Sequence, residues 1–222
     1  MIVGELKPLT EILDSLGSAT RIYILGCGGC VTVCQSGGEQ AAHELAELLK
    51  QSGKGIDCQY GSIPRQCEAE FLEMLPLDLP AVEVVVSLAC GVGVQALVQT
   101  YPSMRVVPGL NTQFMGMPVA AGLFAERCLG CGNCILDQTG GVCPITRCAK
   151  SLLNGPCGGS QDGQCEIGGD RECAWQLIHD RLASQGREAT LLTMWLPRDW
   201  RTSHHGGPRQ MVREDVVLND DK

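Results

Sequence analysis

The 222-residue chain is acidic, with 25 Asp and Glu against 17 Lys and Arg, a formal net charge of −8 and only 4% aromatic residues. That balance excludes a nucleic-acid partner, because phosphate binding needs a basic stripe and base stacking needs aromatic platforms. The length accommodates one large domain or two small ones with a sizeable core. No membrane insertion is expected, since the most apolar stretch, AVEVVVSLACGVGVQALV, is broken by Glu83, Gly91, Gly93 and Gln95. The opening MIVGELKPLTEIL lacks a basic region followed by a continuous apolar one, so the expected compartment is cytoplasmic. Fourteen cysteines in such a chain point to metal or redox chemistry rather than to a disulfide framework, which belongs to small exported domains.

In chain order, RIYILG (21–26) predicts a short buried strand ending in glycine. GGEQAAHELAELLKQSG predicts a helix, with Ala41, Ala42, Leu45, Leu48 and Leu49 at helical spacing and Gly53 as its stop. GIDCQYG reads as a second strand, QCEAEFLEMLP as a short helix and VEVVVSLA as the clearest buried strand. GVGVQALVQTY is then a helix and MRVVPGL a fourth strand. The alternation predicts an α/β fold: a small Rossmann-like parallel sheet over residues 1–118. Ligands of such sheets bind beyond the carboxyl ends of the strands.

At those ends stand GCGGCVTVC and ACGVGVQ. A dinucleotide loop is disfavoured, because the third glycine of G-x-G-x-x-G would fall on Val31. Cys27, Cys30 and Cys34 form a C-x2-C-x3-C, and Cys90 leaves a neighbouring strand at the same edge. These four thiols are expected to converge on one metal or cluster, with Cys67 in PRQCE competing for the fourth position. A C-x2-C knuckle suits zinc and iron–sulfur alike, so the site is read as either zinc or a further [4Fe–4S] cluster.

Past Gly122 the composition changes. Residues 119–186 are read as a cysteine-rich domain with little regular structure, containing Cys128, Cys131, Cys134, Cys143, Cys148, Cys157, Cys165 and Cys173. Large apolar residues are too few there to offset the entropy of ordering, so another core is needed. Eight thiols satisfy two four-ligand centres. The C-x2-C-x2-C at Cys128, Cys131 and Cys134 wraps three corners of a cubane, whereas zinc sites show one knuckle and a distant second pair. Two [4Fe–4S] clusters are therefore preferred over a structural zinc module. Cys143–Pro144 echoes the ligand-plus-proline ending of ferredoxin-type runs, though its x8 gap departs from their spacing and leaves the division of the eight open.

RECAWQLIHDRLASQG predicts a helix with Trp175, Ile178 and Leu182 on one face and His179 outside the ligand set. Residues 187–222 form a polar C-terminal extension in which His204 and His205 are not expected to bind metal.

The stretch RCLGCGNCILDQTGGVCPITRCAKSLLNGPCGGSQDGQCEI resembles the cysteine-rich domain at the C-terminal end of some methylenetetrahydrofolate reductases and in the separate MetV subunit that accompanies the MetF reductase. GCGGCVTVCQSGGE and SLACGVGVQ extend the resemblance more loosely into the first half. The resemblance implies an iron–sulfur subunit passing electrons to FMN or FAD in a MetF-type flavoprotein, where methylenetetrahydrofolate becomes methyltetrahydrofolate. An upstream electron-donor protein would fit the same scheme. This chain is not the catalytic (β/α)8 barrel, which needs about 250 residues and eight β–α units. With such a partner, the extension would lie across it, anchored by Trp200 and the triplet Val216, Val217 and Leu218. The alternatives are a zinc-stabilised adaptor that scaffolds a reductase without carrying electrons, and a free-standing nucleotide-dependent oxidoreductase built on the α/β half.

Overall fold

A computed structural model describes residues 1–75 and 82–213. The chain divides into two compact units, Met1–Glu126 and Arg127–Lys222. The first begins with β1 (Ile2–Leu6), α1 (Leu9–Leu16), β2 (Arg21–Cys27), α2 (Cys30–Val33) and α3 (Gly38–Gln51). It continues through β3 (Asp57–Ile63), α4 (Ala69–Leu72), β4 (Val84–Leu88), α5 (Gly91–Thr100) and β5 (Val106–Pro108). Strands β3, β2, β4 and β5 lie in that order in one parallel sheet, with Ile22 opposite both Cys58 and Val84. The expected mixed α/β fold with a small parallel sheet is thus present.

Both faces of the sheet are covered, which explains why β4 reads as the uninterrupted run VVVSL and is buried throughout. Ile22, Ile24, Val84 and Val86 pack with Ile12, Leu16, Leu45 and Leu49 of α1 and α3. The alternate residues Leu25 and Val85 pack with Leu72 of α4 and Leu97 of α5. Each such aliphatic side chain contributes about 1.5–3 kcal/mol by leaving water. α3 is brought hard against β2 because Gly26 has no side chain: a Cβ there would lie 2.4 Å from the Gly38 carbonyl oxygen. Val31, at the place a dinucleotide loop reserves for glycine, is 1% exposed in this core.

The strand order reverses at β2, from which the chain runs outward to β3 and then returns to β4 and β5. The carboxyl ends of β3, β2 and β4 are therefore adjacent, at the kind of switch point where open α/β sheets bind ligands. Gln66, fully buried, closes that edge: its Nε2 donates to the Leu25 carbonyl at 2.8 Å and its Oε1 accepts from the Ser87 hydroxyl at 2.6 Å. Drawing Gln66 inward leaves only Ala69–Leu72 helical where a longer helix was expected from residue 66.

A second sheet was absent from the sequence reading. β1 pairs antiparallel with β6 (Leu110–Ala120), Ile2 opposite Met115 and Leu6 opposite Leu110, and β6 turns back into β7 (Leu123–Cys128). Gly122, at φ 71°, supplies the left-handed residue of that tight hairpin. The compact unit accordingly runs past residue 118 to Glu126.

The second unit contains α6 (Pro144–Arg147), α7 (Ala174–Ser184) and three 3-10 turns at Glu188–Leu192, Trp200–Thr202 and His204–Gly206. Trp175, Ile178 and Leu182 of α7 are buried on one face, as their spacing requires, and pack with Val142. Within the cysteine-rich stretch itself, Val142 alone contributes a buried side chain to this cluster. No helix among the described residues is long and apolar enough to cross a membrane. The triplet Val216, Val217 and Leu218 lies outside the described residues.

Candidate metal centres

All fourteen cysteines are free thiols, so no disulfide framework holds the fold. Among the described residues, no three His, Cys, Asp or Glu side chains already stand in a metal-holding arrangement. The placement of the thiols is nonetheless far from uniform.

In the first unit, Cys27 ends β2, Cys67 follows the loop after β3, and Cys90 caps α5 just beyond β4. The Gly28 N–H donates to Ile63 at 2.8 Å, tying the loop after β2 to the end of β3. The Cys67 thiol is pushed above its ordinary range chiefly by burial, and further by the neighbouring Cys27 and Cys90 thiols and Glu68. Cys27, Cys67 and Cys90 thus stand in or beside the loops that leave the carboxyl ends of β2, β3 and β4. Cys30 stands exposed at the start of α2. Cys34 faces β1 instead, its Sγ donating to the Ile2 carbonyl at 3.7 Å. Cys58, on β3, is a core residue whose thiol burial pushes up to about 11.

In the second unit the eight cysteines separate by their surroundings. Cys128 ends β7, and its sulfur accepts the Gly130 N–H at 3.4 Å. Cys143 caps α6, whose Pro144 occupies the first turn, where a missing N–H costs nothing. The Thr146 hydroxyl bonds the Arg127 carbonyl at 3.2 Å and so holds this helix beside Cys128. Cys131 and Cys134 occupy the intervening loop. The other four line one small cavity: Cys148, Cys157, Cys165 and Cys173, closed by Leu152 and Trp175. Short bridges between Gln161 and Gln164 and between Gln164 and Glu172 shape the loop that carries them, while Cys173 caps α7. The Cys157 thiol is held below its usual range, first by the Gly159 N–H and then by Lys150, which pairs with Glu166.

The C-terminal extension supplies residues that sequence reasoning missed. Arg198 Nη2 donates to Cys131 Sγ at 2.8 Å and to the Asn133 carbonyl. The Thr202 hydroxyl donates to the Cys131 carbonyl at 2.9 Å, and Arg209 Nη1 to the Gly130 carbonyl at 3.0 Å. Trp200 packs on Arg198 and on His205. His205 is engaged with Ser203, and His179 with Asp180, so both have local partners.

Two buried side-chain polar atoms lack a hydrogen-bond partner among the described residues, Ser160 Oγ and Arg198 Nε. One lies within the loop of the cavity cysteines and the other belongs to the guanidinium on Cys131. Unpaired buried donors are costly. Donors next to sulfur-rich sites are what a thiolate-bound metal or cluster would satisfy. The fourteen cysteines and these donors fit metal or cluster binding.

No curated protein and no solved structure matches the chain. Residues 107–201, a span containing all eight cysteines of the second unit and Arg198, match the family model described as methylene-tetrahydrofolate reductase C terminal.

Proposed function

We propose that the chain is an iron–sulfur electron-transfer subunit of a methylenetetrahydrofolate reductase complex. It relays electrons to the flavin, FMN or FAD, of a MetF-type partner that reduces methylenetetrahydrofolate to methyltetrahydrofolate, in one-carbon metabolism of the Wood–Ljungdahl type. The observation that carries this reading is that Cys148, Cys157, Cys165 and Cys173 line one cavity, which sets them apart from Cys128, Cys131, Cys134 and Cys143. We assign the cavity four to one centre and the remaining four to another. Each set is accompanied by a buried polar atom without a hydrogen-bond partner among the described residues, Arg198 Nε for one and Ser160 Oγ for the other.

The two sets would each hold one [4Fe–4S] cluster, and such clusters supply one-electron transfer, two deliveries reducing a flavin fully. The chain's own residues hold the sulfurs in place and direct N–H groups at them, as Gly130 does at Cys128 and Gly159 at Cys157. At the switch point, Cys27, Cys67 and Cys90, with Cys30 at the rim, are suited to a third cluster or to zinc. The apolar side chains Leu192, Met194 and Leu196, all strongly exposed, offer surface to the flavoprotein.

The reading is tested by co-purifying the full chain anaerobically with its barrel flavoprotein and mixing the reduced chain with the oxidised partner. Flavin absorbance should bleach as the chain reoxidises. A flavin that stays oxidised beside a chain that stays reduced would overturn it in favour of a scaffolding adaptor.

A further inference from the structure

We infer that Arg198 is a potential-tuning residue: its guanidinium raises the reduction potential of a centre bound through Cys131 above that of a centre bound in the cavity of Cys148, Cys157, Cys165 and Cys173. The inference rests on the iron–sulfur reading above. Its basis is a difference in charge compensation between the two sets.

Arg198 has no carboxylate partner among the described residues. The adjacent Asp199 is engaged by Arg201, which contacts both of its oxygens at 2.8–3.1 Å. What Arg198 touches instead is sulfur and a carbonyl: Cys131 Sγ at 2.8 Å, the Asn133 oxygen, and the Trp200 ring, whose centroid is 5.2 Å from the guanidinium carbon. A half-buried cation facing that sulfur, with no counter-charge among the described residues, favours the added negative charge of a reduced centre bound through it. Its Nε, buried and without an acceptor, adds a further N–H. The segment that presents it is fixed at several points. Trp195 exchanges two hydrogen bonds with the Asn154 side chain, at 2.8 and 3.1 Å. Thr202 and Arg209 bond the Cys131 and Gly130 carbonyls.

The cavity set also has two cations nearby, but each is paired with a carboxylate. Lys150 pairs with Glu166, and the same Glu166 oxygen lies 3.5 Å from Cys157 Sγ. Arg147, which lines the cavity, pairs with Glu172 at 2.8 Å. Reduction adds one electron, and so one negative charge, taken from an external one-electron reductant. No proton or bond changes are required. An uncompensated cation on one set therefore favours the reduced form of that centre alone, and donors to sulfur act in the same direction. Electrons entering the chain would come to rest at the Cys131 centre.

The test is a potentiometric titration, followed by electron paramagnetic resonance, of the anaerobically purified full chain and its Arg198→Gln variant. One of the two midpoints should fall by an amount corresponding to tenfold or more in the one-electron equilibrium, about 59 mV per decade, and the other should stay. Arg198→Lys, which keeps the charge, should move the same midpoint by less than about half as much. The inference is overturned if neither midpoint moves, if both move together, or if Lys shifts the potential as far as Gln. Should Arg198→Gln fail to load, the Lys variant decides alone: a midpoint displaced by a full decade rejects charge as the lever. A wild-type chain without reducible iron–sulfur centres would reject the function itself, a result visible before any variant is compared.

Discussion

Replacing Gly132 with alanine should lift the C-terminal segment from the cysteine loop. Gly132 has φ 80°, and a Cβ there would lie 2.2 Å from the Thr202 carbonyl oxygen and 3.0 Å from its carbon. An L-residue in that backbone conformation costs about 1–2 kcal/mol, and forcing a methyl against backbone costs about 1–3 kcal/mol more. The hydrogen bonds that hold the segment there, Thr202 to Cys131 and Arg209 to Gly130, contribute about 1 kcal/mol each. The collision, about 1–3 kcal/mol, is thus comparable with them, and detaching the segment relieves it while the backbone strain remains. Gly141 provides the control, because it has φ 86° but no atom within 4 Å of its Cβ position. Gly141→Ala should carry the backbone strain without the collision. Limited trypsin digestion of the intact protein reads the difference at Arg198, Arg201 and Arg209, since cleavage follows the population of the open form. The collision of about 1–3 kcal/mol corresponds to roughly 5- to 150-fold faster cleavage in Gly132→Ala than in Gly141→Ala. Cleavage at matching rates in the two variants would refute the docked position of Thr202.

Cys165→Ala should remove one centre and spare the other, halving the iron bound by the second unit, whereas loss of all of it would contradict two separate sets. Cys58→Ala should leave metal content unchanged, because Cys58 lies in the aliphatic core. In the wild type, the shift of the Cys58 thiol from 9.0 to about 11 lowers its thiolate fraction at pH 8 about a hundredfold, and alkylation should rise about tenfold per pH unit above that. Because the folded state holds the Cys58 proton more tightly, its contribution to stability is complete below pH 9 and is lost as pH rises towards about 11. Thermal melting would register that loss. Gln66→Leu strands the Leu25 carbonyl and the Ser87 hydroxyl, at a cost of about 1–3 kcal/mol. The melting temperature should fall by about 2–4 °C for each kcal/mol, and an unchanged value would show that the bridge is not needed.

The parallel sheet was legible because its cues are local. The apolar run at Val84–Leu88 and the helical spacing of Ala41, Leu45 and Leu49 each sit within one element. The antiparallel sheet was not, since β1 pairs with residues more than a hundred positions away and β6 is interrupted by Gly116 and Pro118. The cysteines were legible one by one, but their grouping was not. At the switch point, Gln66, beside Cys67, is drawn inward, while Cys34 is turned towards Ile2, and neither orientation has a local cue. Arg198 left no local signal, because its contact with Cys131 spans 67 positions. The same is true of Thr202, whose bond to Cys131 makes part of the C-terminal extension a support of the cysteine loop.

Iron, acid-labile sulfide and zinc measured on the anaerobically purified full chain test the central claim most directly. Two cubane centres require roughly eight irons and eight sulfides per chain, with zinc or a further four irons at the switch point. A colourless chain holding zinc alone would contradict the electron-transfer reading and leave a metal-stabilised scaffold.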